Sequence, residues 1–585
     1  MRMGIDHLLG GVLPTREVIA VYQQVLDPVA DSLGWSSLVA ALPLAVLFVL
    51  LGGVRMRAWL ASLIALAVSL LVAVWTYGMP ADQAFLAATE GAAFGFYPIL
   101  WIVINALWVY NMTVTTGHFD VLRRSFAQVS DDSRLQAVLI AFSFGALLEA
   151  LAGFGTPVAV TSVMLIALGF QPIKAAVLAL TANTAPVAFG AMATPILTLG
   201  KVTGESSDTL GAMVGRQTPI LAVFVPLVLV YIVDGRRGFR ETWPTALLCG
   251  AAFGVAQYVT ANFISVPLAD VVASLVSAAA VVLVVRLRPS AAPAQPAPVA
   301  GGAADEPTPE FAARVEGGAK DERARDSRAE VARAYAPYAI IIAVFVVCQI
   351  DQVKDLLDKA TRTFSWPGLD LTGPTGRPLT LPTFSFNYLT TPGTQMLVAG
   401  LISMAALGIG FGKALRAYWT TLVQLKWAIV TVMAVLALAF VMNASGQTVT
   451  LGTWMAGAGA GFALLSPILG WLGTAVTGSD TSSNSLFGAL QVTAANKADL
   501  STVLMAATNS SGGVLGKMVS PQNLAIAAAA VGLDGREGTS SAASSSGACC
   551  SSPACACCRA CSRPACSAGW SREGLRQGPV RGYWR

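Results

Sequence analysis

Two carboxylates stand inside long apolar stretches of this sequence. Glu149 lies in "LLEALAGFGTPVAV" and Asp480 lies in "TAVTGSDTSSNSLFGAL". An isolated carboxylate in apolar surroundings is costly as an anion, so such a group tends to bind a proton and can carry one. Both residues are therefore candidate proton carriers. The alternative for each is structural: Glu149 hydrogen-bonded for packing or lying at a water interface, and Asp480 in a polar loop that starts a helix.

Small and polar residues follow each carboxylate. Glycine and proline break a helix, and in lipid the backbone groups that they free must find partners or line a cavity. Hydroxyl and amide groups can hold a small anion through their donors, and their oxygens can equally coordinate sodium. The candidate substrate-binding residues of these two stretches are Gly153, Gly155, Thr156, Ser482, Ser483 and Asn484.

A second pair of polar interruptions lies further along the chain. "TANTAPVAFGAMATP" spans residues 181–195 and "ATNSSGGVLGKMVSP" spans residues 507–521. Their amides and hydroxyls can donate to a carboxylate, and exposed helix N-termini add partial positive charge. Two cations in these regions are candidates for binding an anionic substrate, or alternatively are ordinary interfacial residues. The candidates are Asn183, Thr184, Asn509, Ser510, Ser511, Lys517 and Arg216.

The two interruptions match each other. Sliding the sequence by 326 positions places Asn183 on Asn509 and Pro195 on Pro521 without a gap. The distribution of Lys and Arg makes corresponding spans end on opposite sides of the membrane. The sequence therefore predicts two inverted-topology repeats with broken helices or re-entrant hairpins, an arrangement typical of secondary transporters.

The composition is that of a membrane protein. Of the 585 residues, 55% are hydrophobic and 12% are charged, whereas a soluble domain carries about 25% charged residues. Apolar runs of about 20 residues, enough to cross a bilayer, recur along the chain. We predict an all-α polytopic membrane protein with about 12–14 membrane segments. The predicted spans are 35–53, 58–77, 92–110, 136–152, 157–171, 175–199, 218–234, 244–262, 267–285, 337–350, 394–412, 427–443, 453–473 and 500–530.

Changes in composition divide the chain into segments. The predicted segments are an N-terminal segment (1–34), a first membrane half (35–288), a charged Pro/Ala-rich cytoplasmic linker (289–336), a second membrane half (337–533) with an external loop at about 351–393, and a Cys/Ser/Ala-rich tail (534–585). The tail has the composition of a disordered segment or of out-of-frame translation. Placing the Lys and Arg clusters, such as Arg55 and Arg57, in the cytoplasm yields one consistent topology with the N-terminus outside.

Several function classes find no support in the residues. The chain has no Walker-type phosphate loop, which argues against an ATP-driven pump. Its two histidines, His7 and His118, are too few and too far apart for a metal site, and no catalytic Ser/His/Asp set can be assembled. We predict a transporter of a small molecule in the lipid bilayer. We expect no enzymatic activity, cofactor, metal or nucleic-acid partner, and a homo-oligomer is left open.

Five motifs in order resemble those of the L-lactate permease family. They are "LLEALAGFGTPVAV", "LTANTAPVAFGAMATPI", "GAMVGRQTP", "TGSDTSSNSLFGALQ" and "GKMVSPQNLAIA", and the resemblance covers about residues 1–535. It implies a multi-pass protein of the bacterial inner membrane that takes up L-lactate and related 2-hydroxy monocarboxylates, D-lactate and glycolate, with protons. The chain departs from the family at Ala150 and Leu151, where a Gly-Ala pair is usual, and in its tail, where a final hydrophobic span is usual.

The resulting hypothesis is alternating access around a site at the membrane midplane. Asn183, Thr184, Asn509 and Ser510 would orient the carboxylate and hydroxyl of lactate, Glu149 or Asp480 would carry the proton, and Lys517 or Arg216 would supply positive potential. The alternative is a sodium-coupled carrier of another small organic anion, with "SDTSSN" holding the ion.

Overall fold

The computed structural model describes most of both predicted membrane halves. The described residues are 22–127, 129–130, 132–153, 155–287, 326–348, 350–376, 378–379 and 381–531. Most of the predicted N-terminal segment and linker, and all of the predicted tail, lie outside the described residues.

The described chain is built almost entirely of helices. In order, the α-helices are α1 (Leu33–Ala40), α2 (Leu42–Phe48), α3 (Ala58–Leu71), α4 (Ala81–Phe94), α5 (Trp101–Thr115), α6 (His118–Ala127), α7 (Ser133–Ala137), α8 (Gly145–Leu151), α9 (Thr156–Ala167), α10 (Pro172–Ala182), α11 (Thr194–Thr203), α12 (Ser207–Phe263), α13 (Ala269–Leu287), α14 (Arg328–Cys348), α15 (Asp351–Asp358), α16 (Pro392–Ala406), α17 (Phe411–Ser445), α18 (Gln447–Met455), α19 (Phe462–Thr477), α20 (Asp480–Lys497), α21 (Thr502–Gly516) and α22 (Pro521–Ala530). The strands are β1 (Tyr22–Gln23), β2 (Arg362–Ser365), β3 (Leu371–Thr372) and β4 (Thr383–Phe386). Short π turns occupy Val49–Gly53, Val72–Thr76, Gly95–Leu100 and Val138–Phe144, and short 3₁₀ turns occupy Ala191–Ala193, Val266–Leu268, Ala456–Gly461 and Lys517–Val519.

Long apolar helices dominate, which confirms an all-α polytopic membrane protein. Among the described residues, nine helical stretches are long and apolar enough to cross a membrane. The predicted spans 218–234 and 244–262 belong to one helix, α12, whose backbone leaves helical geometry at Asp234 and Gly235. The predicted start at residue 92 is too late, because that helical stretch begins at Ala81. This span was predicted from its mean apolarity alone. The first turns of the helix contain Gln and Glu, so the predicted span began too late.

The helix breaks recur at the spacing seen in the sequence. The 3₁₀ turns Ala191–Ala193 and Lys517–Val519 are 326 residues apart. Each separates two short helices, α10 from α11 in the first case and α21 from α22 in the second. Breaks also separate α8 from α9 and α19 from α20. The inverted orientation of the two halves stays a prediction.

Glycines bring neighbouring helices into backbone contact. A Cβ at Gly512 of α21 would overlap the backbone of Pro467 in α19, and a Cβ at Gly470 would overlap the backbone of Asn509. Helices that approach this closely gain van der Waals contact, which drives helix association in lipid, where apolar burial gives little. This packing holds α19 and α21 side by side, and it orients the polar face of α21.

The segment that follows α14 is folded. Strand β2 pairs antiparallel with β4, and β1 pairs parallel with β3. Tyr22 of β1 donates its hydroxyl hydrogen bond to the carbonyl oxygens of Ser445, at 2.9 Å, and Tyr77, at 3.1 Å. The start of the described chain is thereby fastened to the ends of two long helices and to residues 351–393.

Candidate functional site

All four helix breaks border one cavity of about 610 Å³. The residues that line it from the breaks are Glu149, Gly153, Gly155, Val187, Gly190, Ala191, Thr194, Pro195, Thr477, Gly478, Ser479, Asp480, Thr481, Ser482, Lys517, Gln522 and Asn523. The remaining wall comes from α3 and α17 and from Arg57, which precedes α3. The two polar interruptions of the sequence are therefore parts of one site.

An ion pair between distant parts of the chain lies in the wall of the cavity. Lys517 donates from Nζ to Oε1 of Glu149 at 2.5 Å, and the two residues are 7% and 2% exposed. The second carboxylate oxygen of Glu149 has no hydrogen-bond partner among the described residues. Removing one member of such a buried pair leaves an uncompensated charge, which makes each residue dependent on the other.

Local backbone geometry places these two charges. Glu149 lies in the last turn of α8, and Gly153 and Gly155 follow with φ of +54° and +82°. Only glycine adopts such angles without strain, so the chain reverses here and α9 begins at once. Lys517 opens the 3₁₀ turn between α21 and α22, and Pro521 begins the helix that follows.

Asp480 accepts hydrogen bonds from three side chains. The donors are Ser510 Oγ at 2.6 Å, Thr474 Oγ1 at 3.2 Å and Asn484 Nδ2 at 3.2 Å. Asp480 is the first residue of α20, where the helix dipole favours an anion. Lys517 is the cation whose field reaches this carboxylate. One lysine therefore acts on both buried carboxylates of the cavity.

Asn484, which donates to Asp480, is itself held by a series of hydrogen-bonded side-chain amides. Asn509 Nδ2 donates to Asn484 Oδ1 at 2.9 Å, and Gln491 Nε2 donates to Asn509 Oδ1 at 2.9 Å. Asn484 also donates to the carbonyl oxygen of Pro195, at 3.2 Å, and so joins the two halves. All of these amides are buried, and buried networks of this kind hold side chains in one arrangement, although Gln491 Oε1 has no hydrogen-bond partner among the described residues.

The predicted site residues fall into three groups. Those that line the cavity are Glu149, Gly153, Gly155, Asp480, Ser482 and Lys517. Those that lie behind its wall and hydrogen-bond within α19–α21 are Ser483, Asn484, Asn509 and Ser510. Those that do not line it are Thr156, Asn183, Thr184, Arg216 and Ser511.

Three residues of the third group, Thr184, Ser511 and Arg216, hydrogen-bond elsewhere. Thr184 donates to the carbonyl oxygen of Thr181, and Ser511 donates to Gln217. Arg216 is exposed and donates to Asn262. The Asn183 side-chain oxygen is buried without a hydrogen-bond partner among the described residues. The assignment of these residues to substrate binding stays a prediction, and their position in this conformation does not favour it.

The cavity also contains residues that the sequence motifs did not indicate. Arg57 is exposed at its edge, and the rings of Trp59 and Trp427 stack in its wall with centroids 4.8 Å apart. The motif "RMRAW" contains both Arg57 and Trp59, and its arginines were assigned only to the cytoplasmic side. The sequence feature that could have indicated this part of the cavity is Trp59, an aromatic residue two positions after Arg57.

A second cavity of about 550 Å³ adjoins the first. The two share Ala58, Thr477 and Gln522, and the second is also lined by Arg55. Arg55 and Arg57 lie on the side that the Lys and Arg distribution assigns to the cytoplasm. In this conformation the cavities therefore lie beside the arginines that the sequence predicts to be cytoplasmic, and that orientation stays a prediction.

Several helices begin at the cavity. Helices α9, α11, α20 and α22 each begin within or beside its lining. N-terminal N–H groups carry partial positive charge and bind carboxylate and other anions. Together with Lys517 they give the cavity a chemistry that suits a small anion, and Asp480 and Glu149 stay the predicted proton carriers.

Comparison with known proteins identifies close relatives over most of the chain. The L-lactate permease family profile matches residues 36–541. Glycolate permease GlcA of Escherichia coli (strain K12) is 42% identical over 519 residues, which cover 86% of this chain and 91% of that protein. The L-lactate permeases of Salmonella typhimurium and Bacillus subtilis are each 39% identical, over 88% of this chain and 94% of their own length.

Proposed function

This chain belongs to the L-lactate permease family, and from that premise we propose that it takes up L-lactate together with protons. Related 2-hydroxy monocarboxylates, D-lactate and glycolate, are proposed as further substrates, since relatives are named for lactate and for glycolate. The observation that carries the proposal is the cavity at the four helix breaks, where the buried Glu149–Lys517 pair lies beside Asp480.

The substrate carboxylate binds at Lys517. This lysine is the buried cation of the cavity lining, and the N-termini of α20 and α22 add positive potential beside it. The hydroxyl group of a 2-hydroxy acid hydrogen-bonds to the polar wall that Ser482 and Asn523 provide. A substrate without that hydroxyl lacks this hydrogen bond, which disfavours it.

Proton coupling follows from competition for Lys517. When the substrate carboxylate takes the lysine, Glu149 loses its counter-ion while still buried. A buried carboxylate without a partner binds a proton, because the neutral acid costs far less in an apolar site. One lactate anion and one proton then enter together, and the net charge of the site is unchanged. Asp480 is the second candidate for the proton.

The broken helices supply the movement. Discontinuous helices that meet around a substrate site are typical of secondary transporters, which expose the site to each side in turn. The cavity reaches the side of Arg55 and Arg57, so the conformation described is the inward-facing one of that cycle.

The test is uptake of labelled L-lactate into proteoliposomes with an alkaline interior and no sodium. Wild-type protein is expected to accumulate lactate, and Glu149→Gln is expected to abolish accumulation because the group that takes the proton is gone. Asp208→Asn is the matched control, since it makes the same chemical change at an exposed carboxylate in the first turn of α12.

The outcomes separate the alternatives. If accumulation persists in Glu149→Gln, the proton carrier is Asp480 instead. The same assay on Asp480→Asn then tests that assignment. Replacement of sodium by choline at constant pH tests the sodium-coupled carrier, which loses uptake under that exchange. Wild-type protein that accumulates lactate in neither condition contradicts the proposal.

A further inference from the structure

Another buried carboxylate, Glu90, lies apart from the cavity and has no part in the transport steps above. It belongs to α4, is 0% exposed, and neither carboxylate oxygen accepts a hydrogen bond from the described residues. Lys201 of α11 is its ion-pair partner, with Nζ 4.0 Å from Oε1. A buried carboxylate without hydrogen bonds is costly, and in a membrane protein such a group indicates a function.

Lys201 is held by several elements at once. Its Nζ donates to the carbonyl oxygen of Thr383 in β4 at 2.6 Å. It also lies 5.8 Å from the ring centroid of Phe94 and 5.9 Å from that of Phe440, within cation–π range. These contacts fasten the end of α11 to α4, to α17 and to the folded segment 351–393.

Helix α11 connects this cluster to the cavity. It begins at Thr194, which lines the cavity, and Lys201 follows seven residues later, about 10 Å along the axis at 1.5 Å per residue. The helix is bounded by positive-φ residues at both ends, Ala193 before it and Gly204 after it. These two reversals make α11 a separate helical segment between the cavity and Lys201.

Glu90, by contrast, belongs to α4, which packs tightly against α17. A Cβ at Gly91 would lie 2.6 Å from the carbonyl oxygen of Leu436 in α17, and one at Gly95 would lie 3.1 Å from the Cα of Met433. Close-packed backbones resist sliding. When the pair separates, Lys201 is the member that moves.

We propose that Glu90 is a positioning residue that acts through Lys201. As an anion it holds the C-terminal end of α11, where Lys201 lies, in place, and on binding a proton it releases that end. This inference rests on the proposed proton-coupled transport. When Glu90 binds a proton, Lys201 exchanges it for water, and the proton bound by Glu90 is returned when the pair re-forms. Among the described residues, Lys201 is the charged side chain that acts on Glu90.

The side on which the proton arrives follows from the topology. Thr383 belongs to the segment that the Lys and Arg distribution assigns to the outside. External acidification therefore favours the outward-open state. This role differs from that of Glu149, which exchanges its proton together with the substrate.

The test uses full-length protein in proteoliposomes and two assays. Counterflow of labelled L-lactate at equal pH measures substrate binding and exchange, and uptake at varied external pH and fixed internal pH measures the effect of external protons. Wild-type uptake is expected to rise on acidification by up to about tenfold per pH unit, the limit for one proton. Glu90→Gln is expected to keep counterflow and the part of the external-pH dependence that comes from the proton gradient itself, and to lose the rest, so that its profile is flatter than that of the wild type.

Matched variants separate this role from a structural one. Asp82→Asn makes the same change at an exposed carboxylate of α4 and is expected to behave as wild type in both assays. Lys201→Met leaves Glu90 buried without its counter-ion, so it is expected to lose folded yield and uptake. The double variant Glu90→Gln/Lys201→Met is expected to recover the folded yield.

A wild-type external-pH profile in Glu90→Gln overturns the proposal, as does a double variant that folds no better than Lys201→Met. If Glu90→Gln does not fold, Glu90→Asp replaces it and is expected to shift the profile; an unshifted profile overturns the proposal. Lack of counterflow in the wild type instead contradicts the proposed function, and the folding comparison of the single and double variants then decides the role of the pair.

Discussion

At the scale of residues, a single lysine compensates two buried carboxylates. Lys517 is bonded to Glu149 and acts electrostatically on Asp480. Charges are removed from water at a high cost that only a close partner offsets, so the three side chains depend on one another. The same dependence lets a substrate carboxylate displace Glu149 without leaving Lys517 unpaired.

Lys517→Met is expected to lower the free energy of unfolding by about 3–5 kcal/mol, because Glu149 is left buried and unpaired. Adding Glu149→Gln is expected to recover more than half of that loss, since it removes the orphaned charge. Thermal unfolding of the two variants in detergent measures the difference. Losses that simply add would contradict the coupling of the pair.

Ser510 donates the shortest of the hydrogen bonds to Asp480, at 2.6 Å. Ser510→Ala is expected to cost about 1.5–3 kcal/mol of stability, the range for a hydrogen bond to a charged group, and to weaken substrate affinity. Ser485→Ala is the control, because among the described residues the Ser485 hydroxyl donates only to the carbonyl oxygen of Thr481, one turn earlier. Equal effects of the two changes on stability and on the KM of uptake would contradict a special role for Ser510.

At the scale of elements, the site is made where helices stop. Gly155 begins α9 with a left-handed backbone, and Gly478 ends α19 in the same way, with φ of +76°. Each reversal turns helix ends toward the cavity instead of leaving them inside a continuous span. The partial positive charge of the N-termini of α9 and α20 thereby favours an anion at this place.

Gly155→Ala is expected to destabilise the protein more than Gly204→Ala. Both alanines adopt a left-handed backbone, at φ of +82° and +75°, which costs about 1–2 kcal/mol. At Gly155 the added methyl also overlaps the side chain of Ile526 in α22, whereas no atom lies within 4 Å at Gly204. Overpacking adds about 1–3 kcal/mol. Unfolding temperatures of the two variants compare the effects, and a smaller loss at Gly155 would contradict this packing.

At the scale of the whole molecule, the chain is a multi-pass bacterial membrane protein whose halves are fastened on the side opposite segment 351–393. Arg124 of α6 donates from Nε and Nη2 to Asp326, at 2.8 and 2.7 Å, just before α14 begins. These bonds hold the pKa of the Asp326 carboxyl below its ordinary value. The pair therefore fixes the point where the second half joins the first.

A depressed pKa implies stability that is present above the unfolded-state value of about 3.9 and is lost as the pH falls through the folded-state value. Asp326→Asn is expected to lower stability near neutral pH by up to about 1 kcal/mol, the range for a partly exposed pair. The difference from wild type is expected to vanish at acidic pH. Thermal unfolding as a function of pH checks this, and a difference that persists below pH of about 3 would contradict it.

The repeat at a spacing of 326 residues explains an asymmetry of the site. Asn509 and Ser510 correspond to Asn183 and Thr184, but Asn484, which bonds to both in the second half, corresponds to Val158. The first half therefore has no amide with which to complete the same network. Asn183 and Thr184 were predicted as site residues because of their residue types. A residue type does not indicate which side chain it contacts in the folded protein.

The sequence by itself determined the class of the protein, the positions of the helix breaks and the carboxylates beside them. These properties depend on composition and on the local backbone preferences of glycine and proline, which act over a few residues. Only the tertiary structure decided that Glu149 meets Lys517 across 368 positions of chain, that Asn183 and Arg216 lie outside the cavity, and that Arg57 and Trp59 line it. The physical reason is that the rotation and packing of each helix depend on neighbours far away in the chain, and no local pattern encodes which of its faces turns toward the site.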